Sequence, residues 1–162
     1  MSCMEPFNVA DAVVARLIEN KSLFAYKNKT VNSIEEIANM PNENGDVGGL
    51  KPPWLGVYYS LDLDGDVMTD GSPDDTPITI GVLCASSPGY KTETESLREA
   101  MTYARQVIDA VIGQYTVNAG TAAEPEEHLV FLQAFEQPRE IILASAELSL
   151  VAARFKYYDR YQ

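Results

Sequence analysis

The sequence predicts an α+β fold: a mostly antiparallel or mixed sheet, with a long helix and an N-terminal helix packed on one face. Three observations predict it. Thr92 to Gly113 reads as one strongly amphipathic helix. The apolar runs on both sides of it alternate or are continuous over strand lengths. Turn-rich segments join those runs as hairpins, and the helical segments stand apart from them, which favours segregated layers over a repeated strand-helix-strand order. With 162 residues the chain is read as one domain spanning 1–162, with loops at about 41–53, 62–77 and 118–127.

The elements follow in order. Asn8 is suited to cap a first helix in which Ala10, Val13, Val14, Leu17 and Ile18 recur at helical spacing. Asn32 and Ser33 precede Glu35 and Glu36 as in a capping box, so a short second helix is expected with Ile34 and Ile37 on its apolar side. Pro41 ends it, and a Pro-, Gly- and Asn-rich loop follows to Pro53. In the first strand Leu55, Val57, Tyr59, Leu61 and Leu63 alternate with Gly56, Tyr58, Ser60, Asp62 and Asp64. That alternation predicts one buried and one polar face. After an acidic loop, Ile78 to Cys84 is nearly all apolar and is expected to be covered on both faces.

Thr92 and Glu95 open the long helix in capping-box spacing. Leu97, Ala100, Met101, Ala104, Val107, Ile108, Val111 and Ile112 make its predicted buried stripe, and Gly113 its stop. A third strand is expected at Leu129 to Phe135 and a short one at Ile141 to Leu143. The last is expected from Glu147 to Tyr158, where Val151, Ala153, Phe155 and Tyr157 alternate with Ala152, Arg154, Lys156 and Tyr158.

Composition excludes several function classes. With 24 acidic and 12 basic residues the net charge is -12, which repels phosphate backbones and anionic lipid, so specific nucleic-acid binding is not expected. No apolar run approaches the roughly 20 residues of a membrane span. The N-terminus lacks a basic start followed by an apolar stretch, so no signal peptide is expected and the protein is expected inside the cell. Cys3 and Cys84 have no metal-type spacing; Cys84 reads as a buried free thiol.

Catalytic patterns are missing, so no enzyme, no cofactor and no metal is expected. The triplet Asp62, Asp64 and Asp66 resembles the start of a calcium loop, but Val67 stands where the turn glycine belongs and Pro73 where the closing Glu belongs. His128, the single histidine, has Glu126 and Glu127 beside it but no nucleophile motif. Serine-hydrolase, Walker and dinucleotide glycine motifs are absent.

The aromatics are more informative. Trp54, Tyr58 and Tyr59 gather on the first strand; Tyr157, Tyr158 and Tyr161 stand near Arg154, Lys156 and Arg160. Aromatic and Arg residues favour interfaces. Residues 35–75 hold ten acids and one Lys, so the basic last strand of one copy is suited to meet the acidic loop of another. The candidate subunit interface is therefore Trp54, Tyr58, Asp62, Asp64, Asp66, Arg154, Lys156 and Tyr158. Equally weighted is that these aromatics pack inside one chain.

Several segments, taken in order, resemble the phage tail-terminator family, in particular its Mu-like prophage type. They are the helix from Asp11 to Leu17, the proline-led strand from Pro53 to Tyr59, the strand from Ile78 to Ala85, the helix ending at Val111, Ile112 and Gly113, and the closing strand from Leu148 to Tyr158. The resemblance implies a structural protein that forms a hexameric ring, caps the tail tube and joins it to the head connector. It would be cytoplasmic during assembly and part of the virion tail afterwards. Two competing readings are a small soluble ligand- or protein-binding module and, last, an enzyme with a dispersed site.

Overall fold

A computed structural model describes residues 6–38, 50–59, 78–112, 116–118, 127–133 and 140–159, with side chains described at 8–38, 50–59, 79–112 and 140–155. Helix α1 spans Pro6–Glu19. A 3-10 turn at Lys21–Leu23 leads to a small antiparallel hairpin of β1 (Ala25–Tyr26) and β2 (Lys29–Thr30). The main sheet contains β3 (Ser33–Glu36), β4 (Trp54–Tyr59), β5 (Ile78–Ala85), β7 (Glu127–Gln133), β8 (Glu140–Ala144) and β9 (Ser149–Asp159), and β6 (Thr116–Asn118) extends it beside β7. Helix α2 spans Glu93–Val111. The sheet order is β3-β4-β5-β9-β7-β6, and β8 follows β7 along the same edge of β9. Among the described strands only the β3–β4 pair is parallel, so the sheet is mixed.

Both helices pack on one face of this sheet, as expected. Val9, Val13 and Leu17 of α1 and Ala100, Tyr103, Ala104 and Val107 of α2 meet Leu55, Val57, Ile80, Val82, Cys84, Val151, Ala153 and Phe155. Each fully buried Val or Leu there contributes about 1.5–3 kcal/mol. Helix α2 starts as its sequence predicts: the Thr92 hydroxyl accepts from the Glu95 amide at 3.2 Å. It ends at Val111 with Ile112 as cap; Gly113 lies outside the described residues. Helix α1 begins at Pro6, before the predicted cap Asn8. A first-turn proline lacks only an N–H that would have no partner inside the helix.

The predicted second helix is a correction: Ser33–Glu36 is strand β3. The predicted helix, from about 34 to 40, is well short of the roughly 12–15 residues at which an isolated helix becomes stable. The expected cap is committed elsewhere, because the Asn32 amide donates to the carbonyls of Lys51 and Pro52, each at 3.1 Å. Those bonds, with Asn32 N–H donating to Pro53 O at 2.7 Å, set β3 beside β4.

The predicted polar face of the first strand is a second correction. Trp54, Gly56 and Tyr58 are buried in a separate cluster with Ile37, Leu83, Ala85, Leu148, Leu150 and Ala152. Glycine makes this possible. A Cβ at Gly56 would sit 2.8 Å from Ile37 Cδ1 and 3.1 Å from the Trp54 ring, and one at Gly81 would run into the Tyr58 ring. Each aromatic lies over a glycine slot.

The buried stripe of α2 is also turned from the predicted one. Ser96, Glu99, Tyr103 and Ala110 are inside, Leu97, Met101 and Ile108 are half-buried, and Ile112 is exposed. The hairpin β1–β2 and strand β6 are further additions. Strand β7 begins two residues before the predicted third strand and ends two before its predicted end, and β9 starts at Ser149 after a turn at 145–148.

Candidate functional site

Three places concentrate polar or unpaired chemistry among the described residues. The first is a polar core where the end of β5, the start of α2 and the β8–β9 turn converge. Ser86, Ser96 and Ser149 are buried and joined in a chain: Ser96 Oγ lies 2.8 Å from both Ser86 Oγ and Ser149 Oγ. Ser149 N–H donates to Ser86 Oγ at 2.8 Å, and Ser149 Oγ donates to Ser145 O at 3.3 Å. Beside it stands Glu99, fully buried on α2. Its carboxylate accepts from the Ser87 amide, from Ser87 Oγ at 3.0 Å and from Tyr90 OH at 2.7 Å.

A buried carboxylate is ordinarily matched by a cation. Glu99 is matched by three donors instead, with no Lys or Arg ion pair among the described residues. Burial, and secondly Glu99 itself, push the phenols of Tyr90 and Tyr103 up. The Ser87–Glu99 contact has the atoms of a nucleophile and a base, but the carboxylate has no solvent exposure, so it fixes the β5–α2 connection to the helix. Nothing in the hydropathy pattern of α2 marks Glu99 or Ser96 as interior; the sequence signal for this core is the Ser86, Ser87 pair directly after a nearly all-apolar strand.

The second place lies on the sheet face away from the helices. The Cα register aligns Tyr58 with Gly81 and Gly81 with Arg154 across three strands. Arg154 Nη2 is 2.9 Å from Glu140 Oε2 as an ion pair, both side chains about one-third exposed. Among the described residues Trp54 Nε1 and Arg154 Nε are buried atoms without a hydrogen-bond partner, Glu140 Oε2 has only its ion pair with Arg154, and Tyr58 OH lies under the influence of the same guanidinium. Burial raises the Tyr58 phenol, and the Arg154 guanidinium lowers it in part.

The third place is the surface of β8. Its register with β9 shifts so that Ile142 is an extra residue between Ile141, opposite Val151, and Leu143, opposite Leu150. Ile141 is 53% exposed and Ile142 42%. Adjacent residues of a regular strand point to opposite faces; a bulge re-aims them.

The predicted interface residues are thereby distributed as follows. Trp54 and Tyr58 pack inside the chain. Arg154 is half-buried and held by Glu140. The backbones of Lys156 and Tyr158 belong to β9, opposite Thr79 and Phe131, and their side chains lie outside the described residues. Asp62, Asp64 and Asp66 lie outside the described residues, so the register brings together only Tyr58 and Arg154 of the set. Among the described residues no three His, Cys, Asp or Glu converge as metal ligands. Cys84 is a buried free thiol, pushed up by burial. No helix among the described residues is long and apolar enough to cross a membrane.

No protein-family model matches the chain, and no curated protein sequence matches it.

Proposed function

We propose that this chain is a structural assembly protein of tail-terminator type, acting through contacts between copies in a ring that caps a tail tube and meets a head connector. On this reading it is cytoplasmic while assembling and virion-borne afterwards, and it performs no chemistry. The observation that carries the reading is the pair Ile141 and Ile142, two neighbouring apolar side chains presented to solvent by a bulge in β8. Exposed apolar groups side by side suit an association surface. The polar core around Glu99 supports the same reading, because its nucleophile-like serines are enclosed.

The test is solution mass by light scattering across a concentration series, with negative-stain images of any large species. A closed ring of about six copies is the expected result. A monomer at every concentration, unchanged by addition of tail tubes, would sink the proposal.

A second reading, a small binding module, draws on Trp54 Nε1, a buried donor without a partner among the described residues and suited to a ligand acceptor. A persistent monomer whose melting temperature rises with one member of a small-molecule panel would favour it.

A further inference from the structure

We infer that one flank of α2 is a docking surface for a different protein, one that presents an acidic amphipathic helix. Successive residues of an α-helix turn by about 100°, so Leu97, Met101, Ile108 and Ile112 fall within a sector of about 60° and run along about 22 Å of the helix. Leu97, Met101 and Ile108 are half-buried against the main core, and Ile112 is 51% exposed.

The opposite flank of α2 is already taken. Tyr103 OH donates to Lys29 O at 3.5 Å, the Gln106 amide donates to Ala25 O at 3.0 Å, and Arg16 Nε donates to Ala110 O at 2.9 Å. Those bonds seat the β1–β2 hairpin and α1 along that side. The apolar strip from Leu97 to Ile112 lies on the side left half open.

Charge identifies the occupant. Arg98 and Arg105 are both exposed and lie within about 40° of Ile112 around the helix, in a row beside the strip. Glu95 precedes Arg98 by three residues and Asp109 follows Arg105 by four, spacings at which helical ion pairs form. Neither pair forms: among the described residues the one ion pair is that of Arg154 with Glu140. Two arginines therefore stand unpaired beside open apolar surface, in a chain with 24 acidic and 12 basic residues. Cations flanking apolar positions that repeat at three and four are the pattern by which one helix selects another of opposite flank charge. The partner's apolar face covers Met101, Ile108 and Ile112. Its carboxylates, one heptad apart, reach Arg98 and Arg105, whose planar forks pair with carboxylates bidentately. A nucleic-acid backbone offers anions without that apolar face, and the net charge of -12 repels it.

A second copy does not supply such a helix. Val9, Val13 and Leu17 of α1 are buried in its own core, which leaves Ile18 as the one exposed large apolar side chain described on α1. The α2 flank of a second copy brings the same two arginines, which repel the first pair. The inference is therefore separate from contacts between copies and holds whether or not a ring forms.

The test uses the full chain and two synthetic helical peptides of about 20 residues. Both carry the same apolar heptads; one is flanked by Glu and the other by Lys. Binding is read by fluorescence anisotropy, and the mass of the bound protein by sedimentation. The wild type should bind the Glu peptide at least roughly tenfold more tightly than the Lys peptide, less so as salt rises. Arg98→Glu/Arg105→Glu, checked for folding by circular dichroism, should reverse that preference. Ile112→Ser should weaken both peptides by about fivefold, through lost apolar burial. Leu23→Ser removes an equally exposed apolar side chain elsewhere on the chain and should change neither. Equal binding of the two peptides, binding of neither, or a preference that survives the double reversal would overturn the inference. So would a Glu peptide that binds only by dissociating assembled copies, which would assign this flank to the self-assembly contact instead.

Discussion

Replacing Glu99 by Ala tests whether the polar core holds the protein together. The substitution removes the acceptor for Ser87 N–H, Ser87 Oγ and Tyr90 OH. Ser87 is buried, so its two donors lose their partner away from bulk water, whereas half-buried Tyr90 can turn its hydroxyl to solvent. A buried unsatisfied donor costs about 1–3 kcal/mol. Two such donors, less some relief from a water entering the vacated space, give an expected loss of about 3–4 kcal/mol. Urea unfolding followed by circular dichroism reads this directly. At a slope of about 2 kcal/mol per molar urea, the midpoint should fall by about 1.5–2 M. Glu99→Gln should cost less, about 1–2 kcal/mol, because the amide keeps one acceptor and both hydroxyls can rotate to accept from its NH₂. A Glu99→Ala midpoint within about 0.3 M of the wild type would refute the argument, since it would mean that the donors are satisfied without the carboxylate.

Three further outcomes follow from the same geometry. Gly81→Ala should destabilise by about 1–3 kcal/mol, because its methyl group meets the Tyr58 ring, and Tyr58→Ala in the same chain should remove most of that extra cost in a double-mutant cycle. Arg154→Ala and Glu140→Ala should couple by about 1 kcal/mol or less, as partly exposed ion pairs do, in a urea cycle at low salt. Stability should be full below about pH 10 and decline above it: the folded state holds the protons of Tyr58, Tyr59, Tyr90 and Tyr103 more tightly than the unfolded chain, so the unfolded state deprotonates first, and for Tyr59 the loss runs until about pH 12. Phenolate absorbance measured alongside circular dichroism should show those tyrosines titrating with unfolding.

Helix α2 was legible because Thr92, Glu95 and the repeat through Ala100, Ala104, Val107 and Val111 agree in cap, spacing and length. Strand β5 was legible because Ile78 to Ala85 offers no polar face. Strand β3 was misread because Asn32, Ser33, Glu35 and Glu36 carry a helix-start pattern whose capping residue instead bonds two carbonyls ahead of β4. That choice depends on chain 19–20 residues away, which no local window contains. The hairpin at Lys27 and Asn28 lacked the glycine that usually announces such a turn. The second core was hidden for a similar reason: Gly56 and Gly81 count as neutral in a hydropathy pattern, while in space each is a slot for an aromatic ring on the same or the neighbouring strand. Of the candidate interface, the pairing of Arg154 with Glu140 depends on the β8–β9 register, which the sequence does not reveal.

The arrangement of the two cores limits how copies of this chain can meet. One sheet face is covered by α1 and α2, and on the other Trp54, Tyr58, Leu83, Leu150 and Ala152 are already buried. Among the described residues neither face of the central strands offers open apolar surface, so on the self-assembly proposal association would use strand edges and the two ends of the sheet. A stable contact buries roughly 800 Å² on each partner. Ile141 and Ile142, about half exposed, supply only a small part of that area. Ile18, Leu23 and Ile112 are the other exposed large aliphatic side chains among the described residues, and on polar surface exposed ion pairs contribute orientation and encounter rate more than affinity. An assembly built this way is weak at each contact and gains its strength from closure, since a ring member must break two contacts to leave. The prediction peculiar to this arrangement is steepness: the mass distribution should pass from monomer to closed ring over a narrow concentration range with few intermediates. A gradual ladder of dimers and trimers would mean that one contact alone is strong, and would point to a large apolar interface outside the residues described.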